Sequence, residues 1–194
     1  MNLGLVLRLK EKYSLAIENY MKALELYEFK EDKAMVYNNI AYVYLGQRNL
    51  IKAKEFTLKA IELSNEEKIA NRRFKYFNTL LEIMVNEKVG YAYFDDIYSR
   101  LICELEKCVL VFGEHEEVKI FLNKVSYLIF KYHDIKKADE LVYIIKHIIE
   151  KCERNPKIEM ELCSIVIEMY DKVLRGEAIV DDKKTISANF NYSN

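Results

Sequence analysis

The sequence predicts an all-α chain of antiparallel helix pairs, about nine helices stacked side by side. Three observations carry that expectation. One stretch of helix-pair length recurs along the chain. The apolar residues follow the helical period of i, i+3, i+4 and i+7, and no run shows the alternation of a half-buried strand. With five Gly and one Pro in 194 residues, Gly46, Gly90, Gly113 and Gly176 fall where that period breaks, and Pro156 falls where a new one starts.

The recurring stretch is clearest at Tyr37–Leu63, which reads as two helices meeting at Gly46–Asn49. A backward shift of 37 residues carries Ile40, Ala41, Tyr44, Leu50, Ala53, Thr57, Ala60 and Leu63 onto Leu3, Gly4, Leu7, Tyr13, Ala16, Tyr20, Ala23 and Leu26. A forward shift of 85 carries them onto Val125, Ser126, Ile129, Ile135, Ala138, Val142, Ile145 and Ile148. Two columns stay small throughout, Gly4/Ala41/Ser126 and Ala16/Ala53/Ala138, as a close crossing of two backbones requires. The others are apolar or aromatic apart from Thr57. This pattern resembles the tetratricopeptide repeat, whose signature is a small residue, an aromatic, then Ala, aromatic and Ala at these offsets. A third, degenerate unit lies between the second and last copies, and the closing Pro of the family is absent. The resemblance implies a right-handed superhelix over residues 1–176.

Taken in order, Asn2–Lys10 is a short opening helix whose Leu3, Leu5, Leu7 and Leu9 have nothing before them to cover their outer side. Terminal repeats ordinarily carry a polar capping face, so either the chain is cut from a longer one or this end packs against a partner, and truncation or loss of a preceding domain is the expectation. Helices follow over 13–28, 32–46, 50–63, 66–86, 91–111, 116–132, 135–152 and 156–174. Asp32, Asn49 and Asn65 are the expected N-caps. Phe74, Phe77, Leu81 and Met84 share one face of the 66–86 helix. Phe94, Ile97, Leu101, Leu105 and Cys108 share one face of the next. Residues 177–194 lack any helical period and read as a mobile tail, on which Phe190 and Tyr192 are the candidates for docking back.

Composition narrows the function. Thirty basic residues against thirty-one acidic ones leave no basic excess for nucleic acid. The longest uncharged run, Ala34–Gln47, is too short and polar to span a bilayer, and no secretory leader opens the chain. Cys103, Cys108, Cys152 and Cys163 fit no paired-ligand spacing and read as reduced thiols of a cytoplasmic protein. Glu114-His115-Glu116-Glu117 lacks the second His one turn on that a helical zinc site uses, so it reads as an acidic helix start. His133 reads as a turn residue and His147 as a mid-helix residue. No phosphate loop or nucleophile motif is present. The expectation is a non-enzyme without metal or cofactor.

A second stripe on the first helix of each unit is the candidate site. In the central copy it is Met35, Asn38, Tyr42 and Leu45, with Asn39 beside it; in the last copy it is Ile120, Asn123, Tyr127 and Phe130. A third unit starting one family period of about 34 residues later puts Arg72 and Tyr76 on Asn38 and Tyr42. An Asn amide both donates to and accepts from an extended backbone, a Tyr adds flat apolar area with a polar tip, and Arg72 or Arg73 can grip a carboxylate. The competing reading has Tyr42 and Tyr127 packed between helices, and Asn38 and Asn123 solvated.

The wording of Asn38–Ala53 and the 37-residue step resemble the Rap, NprR and PlcR group, peptide-sensing regulators of low-GC Gram-positive bacteria. That resemblance implies a cytoplasmic quorum-sensing domain that binds a short peptide or protein segment. It would serve transcription regulation without its own DNA-binding head, touching neither nucleic acid nor membrane. The alternative is a self-association module, such as a homodimer, with no small ligand.

Overall fold

A computed structural model describes residues 2–64, 70–87, 90–112, 115–151 and 156–176. The described residues form nine helices packed in pairs, consistent with a tetratricopeptide-like array. They divide into two compact units, residues 1–114 and 115–194. The first holds α1 (Asn2–Leu9), α2 (Tyr13–Leu26), α3 (Lys30–Gly46), α4 (Leu50–Leu63), α5 (Ala70–Glu87) and α6 (Tyr91–Phe112). The second holds α7 (His115–Tyr132), α8 (Ile135–Lys151) and α9 (Pro156–Leu174). The expected N-cap Asn65, Cys152 and the tail 177–194 with Phe190 and Tyr192 lie outside the described residues.

One backbone device closes three of the pairs. In the α1–α2 turn the Lys12 N–H donates to the Leu7 carbonyl (2.8 Å), in α3–α4 Asn49 donates to Tyr44 (2.8 Å), and in α7–α8 Asp134 donates to Ile129 (3.2 Å). The residue before each donor is left-handed: Glu11 at φ 56, Arg48 at φ 57 and His133 at φ 51. This reach of five residues satisfies a carbonyl at the helix end and turns the chain back on itself. The three accepting carbonyls belong to one repeat column, Leu7, Tyr44 and Ile129, so the repeat extends to the main chain. The new helix is capped where the side chain allows. Asn49 Oδ1 accepts from Lys52 N (3.2 Å) and Asp134 Oδ1 from Lys137 N (3.0 Å).

The small columns are buried as expected. Ala16, Ala41, Ala53 and Ala138 are fully enclosed and Ser126 nearly so. Gly4 meets the ring of Tyr20: a Cβ there would lie 2.6 Å from Tyr20 Cε1. Gly46 is not the turn residue its place in the sequence suggests. It ends α3, and its missing side chain leaves room for Tyr13, whose ring and hydroxyl would be 3.0 Å from a Cβ. Above this crossing, Phe56 of α4 stacks on Tyr44 of α3 with centroids 5.5 Å apart.

Several packing expectations are corrected. Asp32 does not cap α3. The helix starts at Lys30 behind Phe29, which has no side-chain cap bond, and Asp32 sits in the first turn, where its charge meets the positive end of the helix. Leu26 is 81% exposed because the chain leaves α2 in extended conformation at Tyr27, and Tyr27 packs on the core instead. In α8, Ile135 and Val142 are exposed while Ala138, Leu141, Ile145 and Ile148 are buried. That helix packs on α9 as well as α7, so its buried stripe is turned away from the repeat offsets. On α1, Leu3, Leu5 and Leu9 are exposed as expected, but Leu7 joins the core of the first unit.

The degenerate third pair is held by size rather than closeness. Phe74, Phe77, Leu81 and Met84 of α5 and Phe94, Ile97, Leu101 and Leu105 of α6 are all buried on the faces expected of them. Arg73 pairs with Glu104 across α5 and α6 at 3.0 Å. Both Arg73 and Arg100 lie over the ring of Phe77.

Gly4→Ala tests the closest crossing. Ala favours a helix over Gly by about 1 kcal/mol, yet overpacking against a fully buried ring costs about 1–3 kcal/mol. The variant is therefore expected to unfold at lower urea concentration than the wild type, and an equal or higher midpoint would show that the crossing has slack.

Candidate functional site

The candidate site is best defined in the first unit, where α3 packs against α5. Asn38 and Tyr42 are four residues apart and so share a helix face. Tyr42 is half-buried. Its hydroxyl lies 3.1 Å from Thr79 Oγ1 of α5, which is itself 3.1 Å from the Lys75 carbonyl. The guanidinium of Arg8, from α1, sits over the ring at 5.6 Å from its centroid. Tyr42 thus touches the first helices of all three pairs in this unit, as the packing reading of that residue expected.

Asn38 is not solvated as the packing reading expected. It is 7% exposed, and its Oδ1 is enclosed with no hydrogen-bond partner among the described residues. Its counterpart in the last copy, Asn123, is exposed. An unmet buried acceptor costs about 1–3 kcal/mol, so Asn38 is a liability to the fold as it stands.

Tyr76 repeats the situation on α5. It is 3% exposed and its hydroxyl also has no hydrogen-bond partner among the described residues. Burial pushes its ionisation up to about 12; Arg72, one turn earlier on α5, pulls it down, and Asp32 of α3 adds to the rise. Both charges are therefore within electrostatic reach of Tyr76, across the same helix pair. Arg72 itself is exposed, while Leu45, two turns on from Asn38 along the same face of α3, and Asn39 beside that face are half-buried. Arg73 is not available as a carboxylate grip, because Glu104 already holds it.

The residue facing Tyr42 is Thr79, which lies 37 residues on. The step from the second to the third pair is therefore 37 at this contact, the same as from the first to the second. Arg72 and Tyr76 sit about one turn before the positions the family period assigned them. Thr79 could have been found by repeating the 37-residue shift forward. Arg8 carried no such signal, since its neighbours in the shifted copies, Leu45 and Glu82, are chemically unlike it.

In the second unit, Asn123 and Tyr127 share a face of α7, with Tyr127 and Phe130 half-buried. Phe130 meets the ring of His133 edge-on at 5.9 Å. His133 is the left-handed turn residue described above. Lys119 bridges Glu116 (3.0 Å) on its own helix and Glu161 (2.9 Å) of α9, so the acidic start of α7 is partly paired. His147 stacks on Tyr143. Among the described residues no cluster of His, Cys, Asp and Glu could hold a metal ion, and no helix is long and apolar enough to cross a membrane. Cys103 is exposed and Cys163 half-buried, both as free thiols.

Residues 1–66 match the tetratricopeptide repeat family. That stretch covers α1 to α4, two of the three pairs in which the small columns and the backbone turn are both present. No match to a curated protein or to a solved structure was found. The repeat is a protein- and peptide-binding module.

Two measurements follow from the buried oxygens. Asn38→Leu replaces an unmet acceptor with a side chain of similar size, so stability is expected to hold or to rise by about 1 kcal/mol; a clear loss in urea unfolding would mean the amide is held in place. For Tyr76 the ionisation in the folded state lies above the ordinary 10.0, at about 12. The unfolded chain therefore ionises first, and the stability that burial of the neutral phenol contributes is intact below pH 10 and lost as pH rises towards 12. Tyr76→Phe is expected to flatten that alkaline slope.

Proposed function

We propose that this chain is the peptide-sensing domain of a cytoplasmic regulator, of the kind its Asn38–Ala53 wording resembles in the Rap, NprR and PlcR group. Its ligand is a short extended peptide or protein segment. In the first unit the peptide runs along Asn38, Asn39, Tyr42 and Leu45 of α3 and Arg72 and Tyr76 of α5. A second set, Asn123, Tyr127 and Phe130 of α7, offers the same residue types for peptide contact.

The observation that supports this reading most is the unpartnered Oδ1 of Asn38. A peptide N–H delivered to that oxygen relieves the cost it carries in the closed array. Because the oxygen is covered, binding selects a conformation in which α3 and α5 part slightly. The ligand therefore shifts a population, as a sensor requires. Tyr42 is placed to report that shift, since its ring and hydroxyl tie α1, α3 and α5 together. Output on transcription follows from the altered array.

The test is selection of binders from a random heptapeptide library by the full chain. Asn38→Ala combined with Asn123→Ala is expected to weaken the selected peptides about tenfold, the value of one or two hydrogen bonds, with the melting temperature unchanged. Normal binding by the double variant would remove these residues from the site.

A second reading, self-association without a small ligand, draws on Leu3, Leu5, Val6 and Leu9 of α1, which are 59%, 42%, 45% and 66% exposed. Light scattering separates the two. A dimer that ignores peptides and falls apart on Leu5→Glu with Leu9→Glu favours the second.

A further inference from the structure

We propose that the outer face of α8 and α9 is an interface with a second copy of this chain, in which α9 of each copy lies over α8 of the other. Nothing in this pairing depends on whether the first unit binds a peptide.

The face starts from a second apolar stripe on α9. Leu162, Val166, Met169 and Val173 are the buried stripe of that helix. Met160, Ile167 and Leu174 recur at steps of seven and share another side, where they are 74%, 64% and 58% exposed. A helix that is apolar on two sides belongs between two layers, and among the described residues α7 and α8 supply only one. The neighbouring α8 continues the stripe. It packs on α9 and joins it through residues 152–155, a link so short that the two run antiparallel. Ile135 and Val142 are exposed on α8, and Ile149, seven further on, is half-buried. Across the seam the Tyr170 hydroxyl donates to the Asp139 carboxylate. That contact sets Ile167 beside Val142, with Met160 beside Ile149 and Leu174 beside Ile135 one heptad either way. Three apolar rungs therefore cross a face two helices wide.

Size and charge decide what covers it. A 19-residue α9 is about 28 Å long, and a face of that length and two helices wide is of the order of the ~800 Å² that each partner of a stable interface covers. The two free edges carry opposite charge. Glu168 and Asp171 stand on the α9 edge, each exposed beside a base one turn on, Lys172 and Arg175. Lys136 and Lys146 stand exposed on the α8 edge, with Glu150 beyond them. Two copies related by a twofold axis can stack helix on like helix, or α9 on α8. The rungs meet in either case, because they are evenly spaced about Ile167 and Val142. Like on like sets Glu168 and Asp171 against their own copies. With α9 on α8 they face Lys136 and Lys146, and the symmetry repeats that contact at the other edge. Charge therefore selects α9 on α8. The acidic edge also disfavours an anionic lipid surface as the cover.

Sedimentation and light scattering of the full chain over a range of concentrations test this, and a reversible dimer is expected. Ile167→Glu buries a charge in the middle rung and is expected to weaken the dimer about tenfold or more. Circular dichroism confirms that the variant is folded. Leu5→Glu with Leu9→Glu is expected to leave the dimer intact, which separates this face from α1. Glu168→Lys with Asp171→Lys, and in a second chain Lys136→Glu with Lys146→Glu, are each expected to weaken self-association a few-fold. Mixed in equal amounts, the two chains are expected to recover it, since opposite charges then meet at both edges. Mild oxidation of a mixture of Ile167→Cys and Val142→Cys chains is expected to give an interchain disulfide between positions 167 and 142. A disulfide joining position 167 to itself overturns the stacking of α9 on α8. A monomer at every concentration, or a dimer that Ile167→Glu leaves unchanged, overturns the interface.

Discussion

The structure depends on one turn. A helix pair buries its apolar faces only if the second helix returns along the first, and here the return is made within a few residues by a left-handed residue and a hydrogen bond that spans five positions. Glu11, Arg48 and His133 take that conformation at a cost that Gly or Asn would largely avoid. The cost is tolerable because the geometry is fixed from both sides. The small columns bring the backbones together at the crossing, and the bond from Lys12, Asn49 or Asp134 secures a helix-end carbonyl that burial would otherwise leave unmet. Tightening the turn and shrinking the crossing residues are two halves of one requirement. They occur together in the α1–α2, α3–α4 and α7–α8 pairs.

That coupling explains how much of the fold was legible. The columns were visible because they are side-chain identities at fixed offsets, and small residues at close crossings leave few alternatives. The turn was located but its chemistry was not. Gly46 drew attention as a breaker, whereas the residue with positive φ is Arg48, and the glycine is there to admit Tyr13. A residue type announces what a position permits; which of two permitted uses is realised depends on the neighbour, and Tyr13 is more than thirty positions away. The misplacement of Val142 has a similar origin. Its offset matches Tyr20 and Thr57, but α8 answers to α9 as well as α7, and a helix with two neighbours turns its apolar stripe to serve both.

The site was legible as a face and not as an environment. Spacing alone puts Asn38 and Tyr42 together on α3. It gives no access to the depth at which the face is covered, which depends on how closely α5 approaches. α5 packs on α3 there, where Tyr42 meets Thr79. Asn38 consequently sits under cover, where a surface stripe was expected. The place of Arg8 was not legible for a different reason: it lies over the ring of Tyr42, on another helix, and the two meet only in three dimensions.

Taken together, the covered oxygens of Tyr20, Asn38 and Tyr76 carry an energetic argument. Each polar atom buried without a partner costs about 1–3 kcal/mol, so three in one unit cost roughly 3–9 kcal/mol, comparable with the whole net stability of a typical domain. Such groups are rare in well-packed proteins; these three lie in the first unit, on α2, α3 and α5, and Tyr93 OH and Ser126 Oγ are enclosed in the same way on α6 and α7. Packing does not require them. A phenylalanine fills the space of Tyr20 or Tyr76, and a leucine that of Asn38, at little cost in shape. An array under pressure only to be stable would lose these oxygens readily, since single substitutions suffice. In the proposed reading, a partner that supplies the missing donors and acceptors draws its affinity from energy the free array holds in reserve.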